Sequence, residues 1–143
     1  ICVTMSEKFE PDEIDLVVGA AIGGILISGG VGRHLDSKHI FSERVDGTMI
    51  FKRGFEVEKK SNVIIVEDII TTGGSIKELI YLLEKFDVNI KGIICIVNRS
   101  EKNLDFGYPF ISLLNFPSQS WEYEDCPDCL KKTPITRPGS TGK

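Results

Sequence analysis

Residues 62–86 read NVIIVEDIITTGGSIKELIYLLEKF, and no other stretch limits the fold of this chain so sharply. The aliphatic, β-branched run at 63–66 has no polar face, so it belongs to a strand covered on both sides. Two acids, two more aliphatic residues and a loop of threonine, glycine and serine follow it directly. Next comes an amphipathic helix over 75–86, with Ile76, Leu79, Ile80, Leu83 and Phe86 on one side and Ser75 placed as its N-cap. A buried strand feeding such a helix is half of a βαβ unit and needs neighbours.

The remaining patterns supply them. IDLVVGA (14–20) reads as a short strand, and IGGILISGGVGRHL (22–35) follows at helical length. Gly29, Gly30 and Gly32 weaken that helix by up to about 1 kcal/mol each relative to alanine, and they let it lie close to a sheet. KHIFSE (38–43) and TMIFKRGFEV (48–57) read as strands flanking a polar turn at Arg44 to Gly47, and 90–99 and 110–115 as two more strands. Strands alternating with helices predict an α/β fold, a mostly parallel twisted sheet with helices on both faces. Ligands of such sheets collect at the carboxyl ends of the strands. From Phe116 onward the chain is rich in Pro, Ser and charge, which predicts an irregular C-terminal tail (116–143) packed on or trailing from a core at 1–115. Ile1, Met5 and Phe9 recur at a spacing of four, as if the chain were entered partway along a helix, so the N-terminal part of the core is expected to be incomplete.

With 143 residues, 41% of them hydrophobic, the chain suffices for one domain with a proper core. Its formal net charge of -4 and scattered basic residues argue against a nucleic-acid partner. No apolar run reaches the length of a membrane span and no signal peptide is visible, so a soluble, cytoplasmic protein is expected. Cys2, Cys95, Cys126 and Cys129 make no disulfide framework, and Cys95, inside an apolar run, reads as a buried reduced thiol. His34 and His39 read as structural.

The loop of Thr71, Thr72, Gly73, Gly74 and Ser75 falls between a strand end and a helix N-terminus, where unpaired N–H groups and the positive end of the helix dipole point outward. Glycine lets the backbone wrap an anion closely and the hydroxyls donate further hydrogen bonds, the pattern of a phosphate cradle. It is not a Walker A loop, since no Gly-Lys-Ser/Thr follows; GSTGK at 139–143 mimics one without the flanking strand and helix and reads as tail. Two acids beside a phosphate would repel it, so Glu67 and Asp68 make sense only if they face another part of the ligand. Carboxylates accept hydrogen bonds from vicinal hydroxyls and stabilise positive charge on a sugar carbon as a leaving group departs. The ligand so read is a ribose 5-phosphate unit, although the acids by themselves would read as a solvated strand-end pair. A second small-residue loop, GAAIGG (19–24), also joins a strand to a helix start, which suggests one ligand with two separated phosphate groups.

These residues resemble a known family. VIIVEDIITTGGS (63–75) is similar to the phosphoribosyl diphosphate (PRPP) signature of the type I phosphoribosyltransferases. AIGGI (21–25), FKRGFEV (51–57), VNR (97–99) and CPDCLKKTPITRPGS (126–140) resemble, in order, segments of its orotate-using members. The resemblance implies transfer of ribose 5-phosphate from PRPP to N1 of orotate, without a side-chain nucleophile, in a homodimer that uses Mg2+ held mainly by PRPP and water. It places Glu67 and Asp68 on the ribose hydroxyls, Thr71 to Ser75 on the 5-phosphate, and Ala20, Ala21, Ile22, Gly23 and Gly24 on diphosphate. Lys52 and Arg53 would approach the phosphates, and Thr71 and Arg99 the orotate ring. Arg44, in the polar turn, corresponds to a mobile loop that many members donate to the partner subunit's site. For Arg44, Lys52 and Arg53, solvated surface charge is an equally good reading.

The chain also departs from the family pattern. Its diphosphate loop has no lysine, its SERVDGT turn is poorer in basic residues, and the upstream segment that forms a hood over the base is not in the sequence. The first two bear on catalytic efficiency and the third on orotate binding. Cys126 and Cys129 read as two free tail thiols, with a zinc shared across a dimer or a redox pair as rarer readings. Two further functions stay open: a non-catalytic PRPP-sensing regulator, which would need a nucleic-acid surface this acidic chain does not show, and another base specificity within the family.

Overall fold

The computed structural model describes residues 1–119, 121, 124–131, 133 and 134. In chain order the elements are α1 (Cys2–Ser6), a 3-10 turn (Pro11–Glu13), β1 (Leu16–Ala20), α2 (Gly23–Leu35), β2 (Lys38–Val45) and β3 (Thr48–Phe51). They continue with β4 (Asn62–Ile70), α3 (Gly74–Glu84), β5 (Asn89–Asn98) and β6 (Phe110–Asn115). The sheet has the order β3-β2-β1-β4-β5-β6, and every neighbouring pair is parallel except β2 with β3.

Strand alternation divides the core into two layers. Val17, Ile64, Val66 and Ile94 face α1 and α2, packing on Met5, Ile27, Val31 and Leu35. Leu16, Val18, Val63, Ile65, Ile93 and Cys95 face α3, packing on Ile76, Leu79, Ile80 and Leu83. The expected fold, a mostly parallel sheet with helices on both faces, is the observed one, and β1 and β4 lie side by side at its centre. At the junction of β1 and α2 the backbones touch: a Cβ built on Gly19 would lie 2.8 Å from the carbonyl carbon of Gly24.

Local details differ from the sequence reading. The polar turn is only Asp46 and Gly47, both left-handed (φ 49 and 79), so Arg44 belongs to β2. A two-residue turn with positive φ at both positions matches the twist of the strands it joins, and this lets β2 run through Arg44 and Val45. The following strand stops at Phe51 rather than at 57, because Arg53 and Gly54 both take positive φ (61 and 72). Helix α3 is capped by Gly73 (φ 76), not by Ser75. Helix α1 ends at Ser6, and Phe9 lies beyond it, packed against the α2-side layer. Among the described residues no helix is long and apolar enough to cross a membrane. Beyond Asn115 the described residues form turns, such as Leu130 N donating to Pro127 O (2.8 Å), and no helix or strand.

Candidate active site

The acid pair lies within β4, which continues through it to Ile70. Adjacent strand residues point to opposite faces, so Glu67 joins the α3 side and Asp68 the α2 side. Glu67 is 7% exposed, stands opposite Cys95 of β5, and its Oε1 accepts from the Asp68 N–H (3.1 Å). Burial, helped by the nearby Asp68 carboxylate, pushes its carboxyl up to about 8. The same burial, with the Glu67 and Asp68 charges adding, pushes the Cys95 thiol up to about 12 and leaves it a poor nucleophile. Asp68 Oδ1 accepts from the Ile69 N–H (2.6 Å), and the carboxylate lies against the bare Cα of Gly23 at the start of α2.

Glu67 therefore borders one loop and Asp68 the other. Glu67 lines a cradle of about 70 Å3 with Ile69, Ile70, Thr71, Thr72, Gly73, Gly74, Ser75 and Ile76. Thr71, Thr72, Gly74 and Ser75 are exposed around it, and Thr72 Oγ1 accepts from the Gly74 N–H (3.4 Å). In the other loop Ala20 is buried at the end of β1, while Ala21, Ile22 and Gly23 are exposed and the Ala21–Ile22 peptide is cis. The Ala21 N–H donates to Ser42 O (2.8 Å), which ties this loop to β2.

Arg44, Lys52 and Arg53 come together, with Glu43 and Val45, around a groove of about 510 Å3 at the β2–β3 hairpin. Arg44 Nη2 pairs with Glu78 Oε2 of α3 (2.8 Å), and Arg53 Nη2 donates to Glu43 Oε1 (2.7 Å) while its guanidinium lies 5.6 Å from the centre of the Phe41 ring. Arg99 follows β5 beside the cradle: its N–H donates to Ile70 O (2.8 Å) and its Nε to Ser118 Oγ (2.9 Å). All these groups sit at the carboxyl ends of the parallel strands. A hollow of about 460 Å3 at the opposite end carries mixed charge, with Asp15, Asp36, Lys38, Glu56, Glu58, Lys59 and Lys60, and its Lys38 is already paired with Glu58.

Three residues of this region escape sequence reasoning. Ser42 occupies an inward position of β2 with its Oγ toward Gly19 O (3.5 Å); alternation along 38–45 is its only signal. Ser118 holds Arg99 from the segment after β6, and Phe106 packs on the cradle from the β5–β6 connection; no local pattern marks either. Cys126 and Cys129 are free thiols, and among the described residues no three His, Cys, Asp or Glu side chains gather as a metal cage.

An α/β sheet with small-residue loops at the ends of its two central strands, and a carboxyl group beside each, defines an α/β protein with its candidate ligand site at the strand ends. Residues 4–125 match the model of the phosphoribosyl transferase domain family, and the chain belongs to that family. It is 43% identical over 133 residues to an orotate phosphoribosyltransferase of Thermoanaerobacter sp. (strain X514), covering 93% of this chain and 70% of that protein. To the enzyme of the same name from Caldicellulosiruptor bescii it is 39% identical over 143 residues, covering 100% of this chain and 75% of the relative. The fold is also that of a crystallised adenine phosphoribosyltransferase from Rhodothermus marinus (TM-score 0.67, 22% identity, 80% of this chain and 77% of that one).

Proposed function

We propose that this protein is an orotate phosphoribosyltransferase, an enzyme that transfers ribose 5-phosphate from PRPP to N1 of orotate and releases diphosphate to give orotidine 5'-monophosphate. The observation that carries the reading is the Thr71–Ser75 cradle at the N-terminus of α3, joined through β4 to Glu67 and Asp68. Orotate rather than adenine is the base because the relatives near 40% identity bear that name, whereas the adenine enzyme shares the fold at 22%.

The residues divide the work by charge. N–H groups at the start of α3 and the hydroxyls of Thr71, Thr72 and Ser75 hold the 5-phosphate. Glu67 and Asp68 bind the ribose hydroxyls, and the Asp68 carboxylate stabilises the positive charge that develops on the sugar as diphosphate leaves. The Ala20 to Gly24 loop takes the diphosphate through its N–H groups beyond Ala21, whose own N–H is held by Ser42 O, and Arg44, Lys52 and Arg53 neutralise it. Thr71 and Arg99 face the orotate, whose carboxylate suits the planar guanidinium of Arg99. Positioning accounts for most of the acceleration, since holding two reactants in line can contribute about 7–11 kcal/mol.

Mg2+ belongs to this reading. Asp68, half-buried at the strand end against Gly23, offers a single carboxylate, a donor that fits a cation which keeps its water and is carried by substrate oxygens. When bound, Mg2+ supplies neutralisation of the leaving diphosphate. We read the enzyme as cytoplasmic and homodimeric; Ile22 and Leu26, 68% and 85% exposed beside the diphosphate loop, are an apolar ridge that a second copy would cover.

The deciding experiment incubates the protein with PRPP, Mg2+ and orotate and follows the loss of orotate absorbance, with adenine in a parallel reaction. Consumption of orotate and not adenine is expected. Turnover of adenine alone would move the protein to another branch of the family, and PRPP binding with no turnover of either base would favour a regulator.

A further inference from the structure

Glycine at position 73 holds the backbone in the left-handed region (φ 76) at the point where the phosphate cradle turns into α3, and its carbonyl already accepts the first helical hydrogen bond, from Lys77 N (3.0 Å). Directly against its Cα lies an aromatic ring from a distant part of the chain. A Cβ built on Gly73 would stand 2.8 Å from Cε1 and 2.9 Å from Cζ of Phe106, with Leu104 Cδ1 at 3.7 Å. The ring is not free to retreat. Phe106 is 8% exposed, belongs to the α3-side core, and meets Phe110 of β6 edge to face with ring centres 5.2 Å apart.

We infer that Phe106 is a positioning residue for the 5-phosphate: its ring is the floor against which the Gly73 peptide is set, so that the N–H groups at the start of α3 converge on the anion. The inference rests on the proposed function for the identity of the anion. Physically, glycine has the widest conformational freedom of any residue, and a loop that turns into its helix on an αL glycine aims its donors only if something removes that freedom. The ring does so by packing alone. A well-packed ring edge holds the peptide on one side while the other stays open to the ligand. Because Phe106 also lies on the connection that begins at Arg99, the same ring ties the phosphate loop to the segment carrying the base-side arginine.

Donors to the 5-phosphate contact it in the ground state and the transition state alike, so their misplacement weakens binding more than it slows chemistry. The test compares Phe106→Leu and Phe106→Ala with Phe86→Leu, a control that loosens the same core layer at the far end of α3, where Phe86 meets Phe51. Dissociation constants for ribose 5-phosphate are measured by calorimetry, and KM for PRPP and kcat by the orotate assay, well below each variant's melting temperature. Phe106→Ala is expected to raise both the dissociation constant and KM for PRPP about 10-fold, Phe106→Leu less, with kcat changed under about threefold and Phe86→Leu altering neither. Unchanged ribose 5-phosphate affinity in a folded Phe106→Ala, or an equal loss in Phe86→Leu, would overturn the inference. The ribose 5-phosphate measurement needs no base, so a native protein that binds this ligand but leaves orotate untouched removes the proposed reaction and not the role of Phe106. A native protein that does not bind ribose 5-phosphate removes both.

Discussion

The carboxylate of Asp68 rests on the bare α-carbon of Gly23. A Cβ built on that glycine would overlap Asp68 Oδ2 and lie 2.8 Å from Oδ1. The end of β4 and the start of α2 are thus in contact through a position where only hydrogen fits, and in the proposed function the contact joins the acid that holds the ribose to the loop that takes the diphosphate. Gly23→Ala is expected to push either the carboxylate or the loop aside by about an ångström and to lower kcat/KM for PRPP about 100-fold, as misplacement on that scale does. Steady-state kinetics with varied PRPP check this, and near-native kcat/KM would show that the contact is incidental.

Glu67 makes stability depend on pH in an unusual direction. Burial raises its carboxyl from 4.5 to about 8, so between those values the unfolded chain has lost a proton that the folded protein keeps. The contribution of this group is fully present below pH 4.5, falls as pH rises, and loses nothing more above about 8. Glu67→Gln removes the dependence: relative to native protein it should be more stable by about 1–3 kcal/mol at pH 8, with the gap closing toward pH 4.5. Urea unfolding of both proteins across that range measures it, and parallel profiles would place the proton elsewhere.

The pair between Arg44 and Glu78 has both side chains nearly half exposed, 48% and 41%, so it adds little to the fold. Arg44→Ala is expected to shift the melting temperature by under about 4 °C. If Arg44 neutralises diphosphate, the same variant lowers kcat about 10-fold or more. Melting curves and kcat measured on one preparation separate the two effects, and an unaltered kcat would return Arg44 to the solvated surface.

Arg99 already donates its Nε to Ser118 Oγ, which fixes the plane of the guanidinium. Arg99→Lys keeps the charge and loses that plane and the two-pronged donor. KM for orotate should rise about 10-fold while KM for PRPP stays within about twofold. Equal rises in both would mean that the Arg99 guanidinium serves the PRPP side of the site as much as the base.

Much of this site is legible in the sequence because its signals are local. The aliphatic run at 63–66, the acids after it and the Thr-Gly-Ser loop before an amphipathic helix are read from neighbours along the chain, since periodicity and glycine placement act over a few residues. The turn at Asp46 and Gly47 and the cap at Gly73 are local as well. The turn is read from the sequence with its start two residues early, because Arg44 has no strand preference to reveal it, and the cap is misplaced because Ser75, a good capping residue, stands two positions beyond the true one.

The chain by itself determined the α/β alternation and the Thr-Gly-Ser loop set between a buried strand and an amphipathic helix, because hydrophobic period and loop chemistry are written residue by residue. Only the tertiary structure decided that Glu67 and Asp68 serve opposite faces of β4, that Asp68 meets Gly23, that Ser118 holds Arg99, and that Phe106 underlies Gly73. Those relations join residues that are far apart in the chain, or on opposite sides of one strand. They are set by how far β4 runs, by strand order and by close packing; alternation separates the two acids only once β4 is seen to continue through them.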